Sequence, residues 1–239
     1  MRSADGPASP GVRTRAQPLR RRPFIRNADC SAAIAELAHE ASALGVALSD
    51  VAITRFQDYI DTLLLWRARL SLTTAATPQD IVRDHILDSL VLCRFIRPEM
   101  RVADLGSGAG FPGIPVAIAC DRAYISLVES RRKKANFLRE VVRSAQLANA
   151  EIIEERAERL ADNVTRPWDL VVSRAVWTVA DFLAISERLL ARGGLAIAMK
   201  GPKASSEWMA DRKSFVQAGS DEYTLIGGAR HRLLVYRRV

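Results

Sequence analysis

The stretch DLGSGAGFPGIP, residues 104 to 115, places four glycines and two prolines between an apolar strand and an apolar helix. Glycine is the residue that reaches left-handed backbone without strain and lets a main chain lie directly against another group. Ahead of the loop, RVADL (101–105) has the composition of a buried strand, and the run from Ile114 to Cys120 opens a helix. Strand, glycine loop and helix in that order begin a βαβ unit, whose ligand lies at the carboxyl end of the strand. Such a unit is stable only if the rest of the chain supplies more parallel strands and crossover helices.

The sequence downstream supplies them. YISLVE (124–129), AEIIEE (150–155), WDLVVSR (168–174) and LAIAMK (195–200, after the Gly193–Gly194 break) read as strands. Between them, residues 131–147 form a helix, apolar at Ala135, Leu138, Val141, Val142 and Ala145, and Thr178 to Leu190 forms another. Strands that are almost continuously apolar are buried on both faces, so the sheet is largely parallel. A last helix over Ser205 to Gln217 leads to YTLIGGARHRLLVYRRV (223–239), two strands about a Gly–Gly turn that close the sheet as an antiparallel hairpin. Helices precede the sheet. Ser31 to Leu44 stops at Gly45, and Ser49 caps a helix whose Ile53, Phe56, Ile60, Leu63 and Leu64 share one face. A third helix starts at Thr77, Pro78 and Asp80 and is closed by Pro98. The expected organisation is a basic extension over 1–29, a helical cap over 30–97 and an α/β domain over 98–239.

Composition limits the alternatives. With 239 residues, 49% hydrophobic and 26% charged, the chain can bury one α/β core with an appendage. Of the formal charge of +8, residues 1–29 carry +5, from seven Arg against Asp5 and Asp29. That segment also holds Pro7, Pro10, Pro18 and Pro23, and buries too little apolar surface to offset its ordering entropy, so disorder is expected. The remainder is only mildly basic, and charge alone does not establish nucleic-acid binding. Cys30, Cys93 and Cys120 are scattered without CxxC pairing, which fits a reducing cytoplasm and buried, inert thiols at Cys93 and Cys120. No apolar run approaches the roughly 18 residues of a membrane span, and no metal site is expected.

Two cofactors compete for the glycines. Gly108, Gly110 and Gly113 match G-x-G-x-x-G, and Glu129 stands 21 positions beyond Gly108, as in an NAD site with an acid on the ribose hydroxyls. Three features favour S-adenosylmethionine (AdoMet) instead. Asp104 opposes a diphosphate but suits an ammonium or sulfonium group. The series Gly106, Gly108, Gly110 lets backbone approach a methionine moiety. The chain ends in a hairpin where a dinucleotide fold continues with another parallel unit.

Six segments in order, LTTAATPQDIVRDHILDSL, DLGSGAGFPGIP, ESRRKKANFLREV, EERAERL, VVSRAV and MKG, closely resemble the GidB/RsmG family. The resemblance covers about residues 45 to 239. It implies a bacterial 16S rRNA guanine-N7 methyltransferase with a Rossmann-like class I AdoMet fold: a mostly parallel seven-stranded sheet ending in an antiparallel hairpin, with an N-terminal helical cap. The chain departs from the family in its Arg/Pro-rich extension and in Ser71, where Asn is common. The resemblance implies AdoMet contacts at Gly106 and Phe111 in the loop, at Ala157 and Glu158, and at Arg174. Asp104, Ser107 and Gly108 are expected at the same cofactor site, with Asp104 organising the loop from below. Glu129 is expected to hold the ribose hydroxyls. Arg156, Lys200 and Arg230 are expected to meet RNA. The implied partner is 16S rRNA or the small ribosomal subunit, with guanine 527 as the family's target, and a monomer is expected.

The chemistry missing from the sequence agrees with N7. Segment 173–177, SRAVW, lacks the Asp/Asn-Pro-Pro-aromatic loop used on exocyclic amines, and no cysteine is placed as a nucleophile on cytosine. Guanine N7 presents an unprotonated lone pair, so no acid or base is assigned and catalysis reduces mostly to alignment, with Arg174 as the positioning residue. N7 must stay free of the usual bidentate arginine contact, so recognition falls to O6 and the Watson–Crick edge. His85 is expected at the pocket floor, Trp177 as a packing residue, and Arg131 to Lys134 as either a solvated helix start or a phosphate patch. The rival readings are an NAD(P) oxidoreductase and a non-enzymatic RNA-binding module that works through the basic arm. Removing residues 1–29 is expected to leave the melting temperature almost unchanged, to lower RNA affinity modestly and to flatten its salt dependence. A large drop in melting temperature is the contrary result.

Overall fold

The computed structural model describes residues 28–67, 69–174, 176–201, 213–225, 228 and 230–239. Seven strands form one sheet: β1 (Arg101–Leu105), β2 (Tyr124–Val128), β3 (Ala150–Ile153), β4 (Trp168–Arg174), β5 (Leu190–Lys200), β6 (Phe215–Thr224) and β7 (Arg230–Arg238). Their order is β3-β2-β1-β4-β5-β7-β6. β1 pairs in parallel with β2 and β4, β2 with β3, and β4 with β5, while β7 runs antiparallel to both β5 and β6. The order reverses between β1 and β4, which opens a crevice at their carboxyl ends, where α/β sheets take ligands. This is the Rossmann-like class I methyltransferase architecture expected from the sequence.

Alternation along the strands divides the core in two. Leu170, Val172, Ile197, Met199, Leu233 and Val235 face one layer, and Val171, Ala196, Ala198, Leu234 and Tyr236 face the other. Both faces are apolar, hence the unbroken apolar runs in the sequence. The second layer comprises α7 (Ala157–Asp162) and α8 (Val179–Leu189). The first comprises α5 (Gly113–Ala119), α6 (Arg132–Ser144) and the helices that precede the sheet, α1 (Ala28–Ala43), α2 (Asp50–Arg67) and a helical run over 78–95. Phe56, Tyr59 and Leu63 of α2 lie in one continuous core with Phe137 and Leu138 of α6, and Trp66 meets Phe137 edge-on at 5.9 Å. The helices over 28–95 thus bury their apolar face against the sheet's own layer.

The run over 78–95 opens on a capping box. Thr77 Oγ1 accepts from Asp80 N at 3.1 Å, and Asp80 Oδ2 accepts from Thr77 N at 2.9 Å. Its interior departs from a regular helix: α3 (Pro78–Ile81), a π turn over Val82–Ile86, α4 (Leu87–Leu90) and a 3-10 turn over Val91–Phe95. A π turn rotates the residues after it relative to a regular helix and is often found at functional sites. Here it carries His85 and delivers Asp88 beneath the sheet edge.

Some expectations need correction. Phe215 to Gln217 do not end a helix; they begin β6, and Ser205 to Arg212 lie outside the described residues. Phe215 is buried in the α8 layer and pairs with Arg238, and that pairing outweighs local propensity. β5 starts at Leu190 and passes through Gly193–Gly194 rather than after them. The basic extension lies outside the described residues up to 27, and α1 already begins at Ala28. Cys93 and Cys120 are half-buried, not fully buried. Among the described residues no helix is long and apolar enough to cross a membrane.

Phe137 is fully buried where the two groups of helices meet. Phe137→Ala is expected to cost about 3–5 kcal/mol. Because the helices and the sheet share a core, denaturant titration should still show one transition by circular dichroism and tryptophan fluorescence. Two separated transitions would mean that residues 28–95 fold as an independent unit.

Candidate active site

The glycine loop is fixed from below by a carboxylate. Asp104, at the end of β1, is fully buried, and its Oδ2 accepts the Gly113 N–H at 3.0 Å, at the start of α5. A Cβ at Gly113 would sit 2.2 Å from Leu127 Cδ2 and 2.7 Å from that same Oδ2, so only glycine fits. Asp104 Oδ1 is buried without a hydrogen-bond partner among the described residues. Burial pushes this carboxyl up to about 6, against the lowering effect of the Gly113 hydrogen bond. Ser107 Oγ donates to the Asp104 carbonyl at 3.0 Å, and Tyr59 Oη donates to Ala109 O at 2.7 Å, tying the loop to α2.

The amides of the loop are largely used within the protein. Gly106 N and Ser107 N both donate to Val128 O, at 2.9 and 3.0 Å, and Gly110 N donates to Ser107 O at 2.7 Å. Gly108 N donates to Glu129 Oε2 at 3.0 Å, and the other oxygen of Glu129 accepts Arg131 N at 2.7 Å. Gly106, Gly108 and Gly110 all have positive φ, at 70°, 57° and 97°.

Above this floor lies a cleft of about 320 Å³, to which Gly106, Gly108, Glu129, Arg156, Ala157 and Glu158 contribute. Trp177 closes one side: a Cβ at Gly106 would stand 3.0 Å from Val176 Cγ2 and 3.6 Å from Trp177 Cη2. At Gly108 a Cβ would meet nothing nearer than Gly106 O at 3.7 Å and Lys134 Nζ at 3.8 Å. Bare backbone therefore faces the open cleft there. Each Glu129 oxygen accepts one backbone N–H and keeps a lone pair for a ligand hydroxyl.

A second cavity, of about 510 Å³, opens beside the first at the ends of β4 and β5. Arg174, Lys200, Gly201 and His231 form its sides, with His85 and Asp88 from the helical run. Asp88 is 2% exposed and collects donors from three strands. Its Oδ1 accepts from Tyr223 Oη at 2.6 Å and lies 3.0 Å from His231 Nδ1, and its Oδ2 accepts from Arg174 Nη1 at 3.3 Å. Burial opposes its ionisation, but the His231 hydrogen bond, the Arg174 charge and the Tyr223 hydroxyl together hold it below the usual carboxylate range. The same hydrogen bond, donated to Asp88, raises His231. Burial, with Arg174 adding to it, pushes His85 down to about 4 and keeps it neutral. His85 Nε2 lies 2.7 Å from Thr73 Oγ1; its Nδ1 lies 2.9 Å from Asp84 O and 3.2 Å from Arg174 Nη1. One nitrogen cannot donate to the carbonyl and accept from arginine together, so the tautomer selects between those two contacts.

The structure sorts the expected residues into three places. Gly106, Gly108, Glu129, Ala157, Glu158 and Arg156 surround the first cleft. Asp104, Ser107 and Phe111 are buried at or beneath the loop. Phe111 lies 4.7 Å from His85 and under the Arg174 guanidinium, whose carbon is 5.1 Å from the ring centre. Arg174 and Lys200 line the second cavity, and Arg230 is exposed next to His231 on β7. Asp88, Tyr223, His231 and Tyr59 escaped sequence reasoning. Asp88 had a signal, since it follows His85 by three residues; His231 shares its strand face with Leu233 and Val235, and Tyr223 is its partner in register.

Gly113→Ala and Gly108→Ala should therefore differ. The first must displace Leu127 or break the Asp104 contact, and is expected to cost about 1–3 kcal/mol of stability. The second meets no close neighbour, but at φ 57° a side chain strains the backbone by about 1–2 kcal/mol as well as changing the surface offered to a ligand. Paired thermal melts and AdoMet calorimetry should show the larger loss of stability in the first, and in the second weakened binding by a protein that is still folded.

Comparison with known proteins agrees with this geometry. Residues 52–235 match the family model GidB, described as rRNA small subunit methyltransferase G. A ribosomal RNA small subunit methyltransferase G of Stenotrophomonas maltophilia (strain K279a) is 44% identical over 143 residues, 60% of this chain and 66% of that one, just under two thirds of its length. One of Desulfitobacterium hafniense (strain Y51) is 33% identical over 199 residues, 80% of this chain and 83% of that one. Among solved structures, TrmN from Thermus thermophilus has a TM-score of 0.55 at 19% identity, covering 75% of this chain and 52% of that one. An O-methyltransferase from Bacillus cereus in complex with SAH has a TM-score of 0.56 at 13% identity, covering 75% and 90%. These two share the fold. By the match over most of its length, the chain belongs to the GidB family of rRNA small subunit methyltransferases.

Proposed function

We propose that this protein is an AdoMet-dependent methyltransferase of small-subunit rRNA that acts on N7 of a guanine, guanine 527 in the family's usual target numbering. The observation that carries the cofactor is the use of the loop amides. A dinucleotide site turns those N–H groups and the helix N-terminus toward a diphosphate. Here Gly106, Ser107, Gly108 and Gly110 spend theirs on protein acceptors, and Gly113 at the helix start is bonded to Asp104. The residues present fit AdoMet: a bare backbone floor, Glu129 for ribose hydroxyls and a cleft near the lower end of the usual ligand-pocket range of roughly 300–1,000 Å³. When bound, AdoMet supplies an electrophilic methyl group on a cationic sulfur.

The chain's own residues bind and orient. Gly106 and Gly108 allow close approach, Glu129 fixes the ribose, and Ala157 and Glu158 border the far end of the cleft. Arg156, Lys200 and Arg230 provide cations for RNA along the end of the sheet where β3 and β5 finish and β7 begins. Transfer to N7 releases no proton, and among the described residues none at the site is assigned as a base. The neutral His85 is committed to Thr73 and to Asp84 or Arg174. The family relationship and the basic sheet edge support rRNA as the substrate.

Purified protein incubated with AdoMet and small-subunit rRNA, naked or assembled, should yield 7-methylguanosine on nucleoside mass spectrometry. Methyl on another atom would overturn N7, and tight NAD binding with no AdoMet binding would overturn the cofactor. The single-turnover rate should show no rising limb between about pH 6.5 and 9, since no base must be deprotonated. A tenfold climb per pH unit that disappears in His85→Gln would establish a histidine base instead.

A further inference from the structure

The second cavity adjoins the proposed cofactor cleft and is built around a buried, fully engaged carboxylate, Asp88. Three observations say what it is for. It shares a wall with the cofactor cleft: Trp177 borders that cleft, and Lys200 Nζ, in the cavity, donates to the Trp177 carbonyl at 3.0 Å. Phe111, from the glycine loop, lies beneath Arg174 and beside His85. The cavity's side chains are also held by a buried carboxylate that does not itself need to reach a ligand. Both Asp88 oxygens are engaged, by Tyr223 and His231 on one side and by Arg174 on the other.

We propose that this cavity is the subsite for the acceptor base, an unstacked guanine with N7 turned toward the cleft, and that Asp88 with Tyr223 and His231 is the positioning device that aims Arg174 into it. The proposal rests on the methyltransferase reading above and names the place and the residues that reading leaves open. A base in a stack offers no free face or edge, so the acceptor must be unpaired or swung out. Lys200 and Arg174 bring donors suited to O6, and the Arg174 guanidinium, whose carbon lies 5.1 Å from the Phe111 ring centre, offers a plane for stacking. In the transfer, the N7 lone pair forms the new N–C bond as the C–S bond breaks. The sulfur leaves as a neutral thioether, and the positive charge passes to the methylated base. Asp88 balances the cations around it, so the cavity is not a uniformly positive place for a base that ends cationic.

Gly201 gives a test that spares the core. A Cβ there meets no atom within 4 Å, and the residue is exposed at the rim of the cavity. Gly201→Trp is expected to fill the cavity and cut radioactive methyl incorporation into small-subunit rRNA by about a hundredfold or more. Its AdoMet affinity by calorimetry should stay within about twofold of wild type. Incorporation within about threefold of wild type, or AdoMet affinity that falls as far as incorporation, would overturn the subsite. Tyr223→Phe removes one hydrogen bond to Asp88 without touching the cavity wall. It should lower kcat about tenfold with KM for RNA unchanged; an unchanged kcat would remove the positioning role. His231→Gln, which keeps a donor toward Asp88, should retain more activity than His231→Ala, and equal loss in both would count against the device. Methyl incorporation scores the cavity wherever the methyl lands, whereas mapping its position on the wild-type product scores the N7 reading.

Discussion

Most of the candidate site depends on one hydrogen bond, from the Gly113 N–H to the buried carboxylate of Asp104. Burying a carboxylate is costly unless hydrogen bonds compensate, and here one oxygen is satisfied while the other is not. The compromise is visible in the raised Asp104 carboxyl. The constraint obtained for that cost is geometric. β1 and the start of α5 are joined across a gap too narrow for any side chain at residue 113. The loop between them must then rise above the sheet with three positive-φ glycines, its amides turned back on Val128, Ser107 and Glu129. A loop whose donors are spent is poor at holding phosphate and good at presenting bare backbone.

How far the sequence could be read follows from the range of the forces involved. β1 and β4 begin and end where their apolar runs do, and the Thr77 cap was legible, because each is set by residues within a few positions. The helix expected through Gln217 failed where a long-range term decided: Phe215 is held by the α8 layer and by Arg238. The site divides the same way. Gly106, Gly108 and Glu129 belong to a motif whose spacing is local. The Asp88 cluster draws on residues 88, 174, 223 and 231, which only the sheet order brings together, and no short pattern carries that. The resemblance to the family named Arg174 and Phe111 but not Asp88, Tyr223 or His231.

Arg174 shows how the two cavities are coupled. It is the last residue of β4, so its backbone is fixed by the sheet while its side chain crosses toward the helical run. Its guanidinium has three neighbours with different demands: the Asp88 carboxylate, the His85 ring and the face of Phe111. Burial, with the arginine adding to it, depresses His85, so the imidazole stays neutral and adds no positive charge there. Asp88 in turn keeps the guanidinium from swinging freely. A charged side chain held from three sides has little entropy left to lose on meeting a ligand, which is the condition for alignment to act as the main catalytic term.

Alignment also requires that the distance between the two cavities be fixed, and the short segment after β4 does this. Lys200, at the end of β5, grips the Trp177 carbonyl, while Val176 and Trp177 lie against Gly106. The wall between the two cavities is thus attached to β5 at one end and to the glycine loop at the other. Any side chain at Gly106 would press on Val176 before it reached a ligand, moving that wall. The glycine at 106 therefore acts on two levels: its positive φ shapes the loop, and its missing Cβ lets the wall sit close. In the proposed transfer, which uses no acid or base, few other variables remain, and the separation of donor and acceptor becomes the quantity that this part of the fold controls.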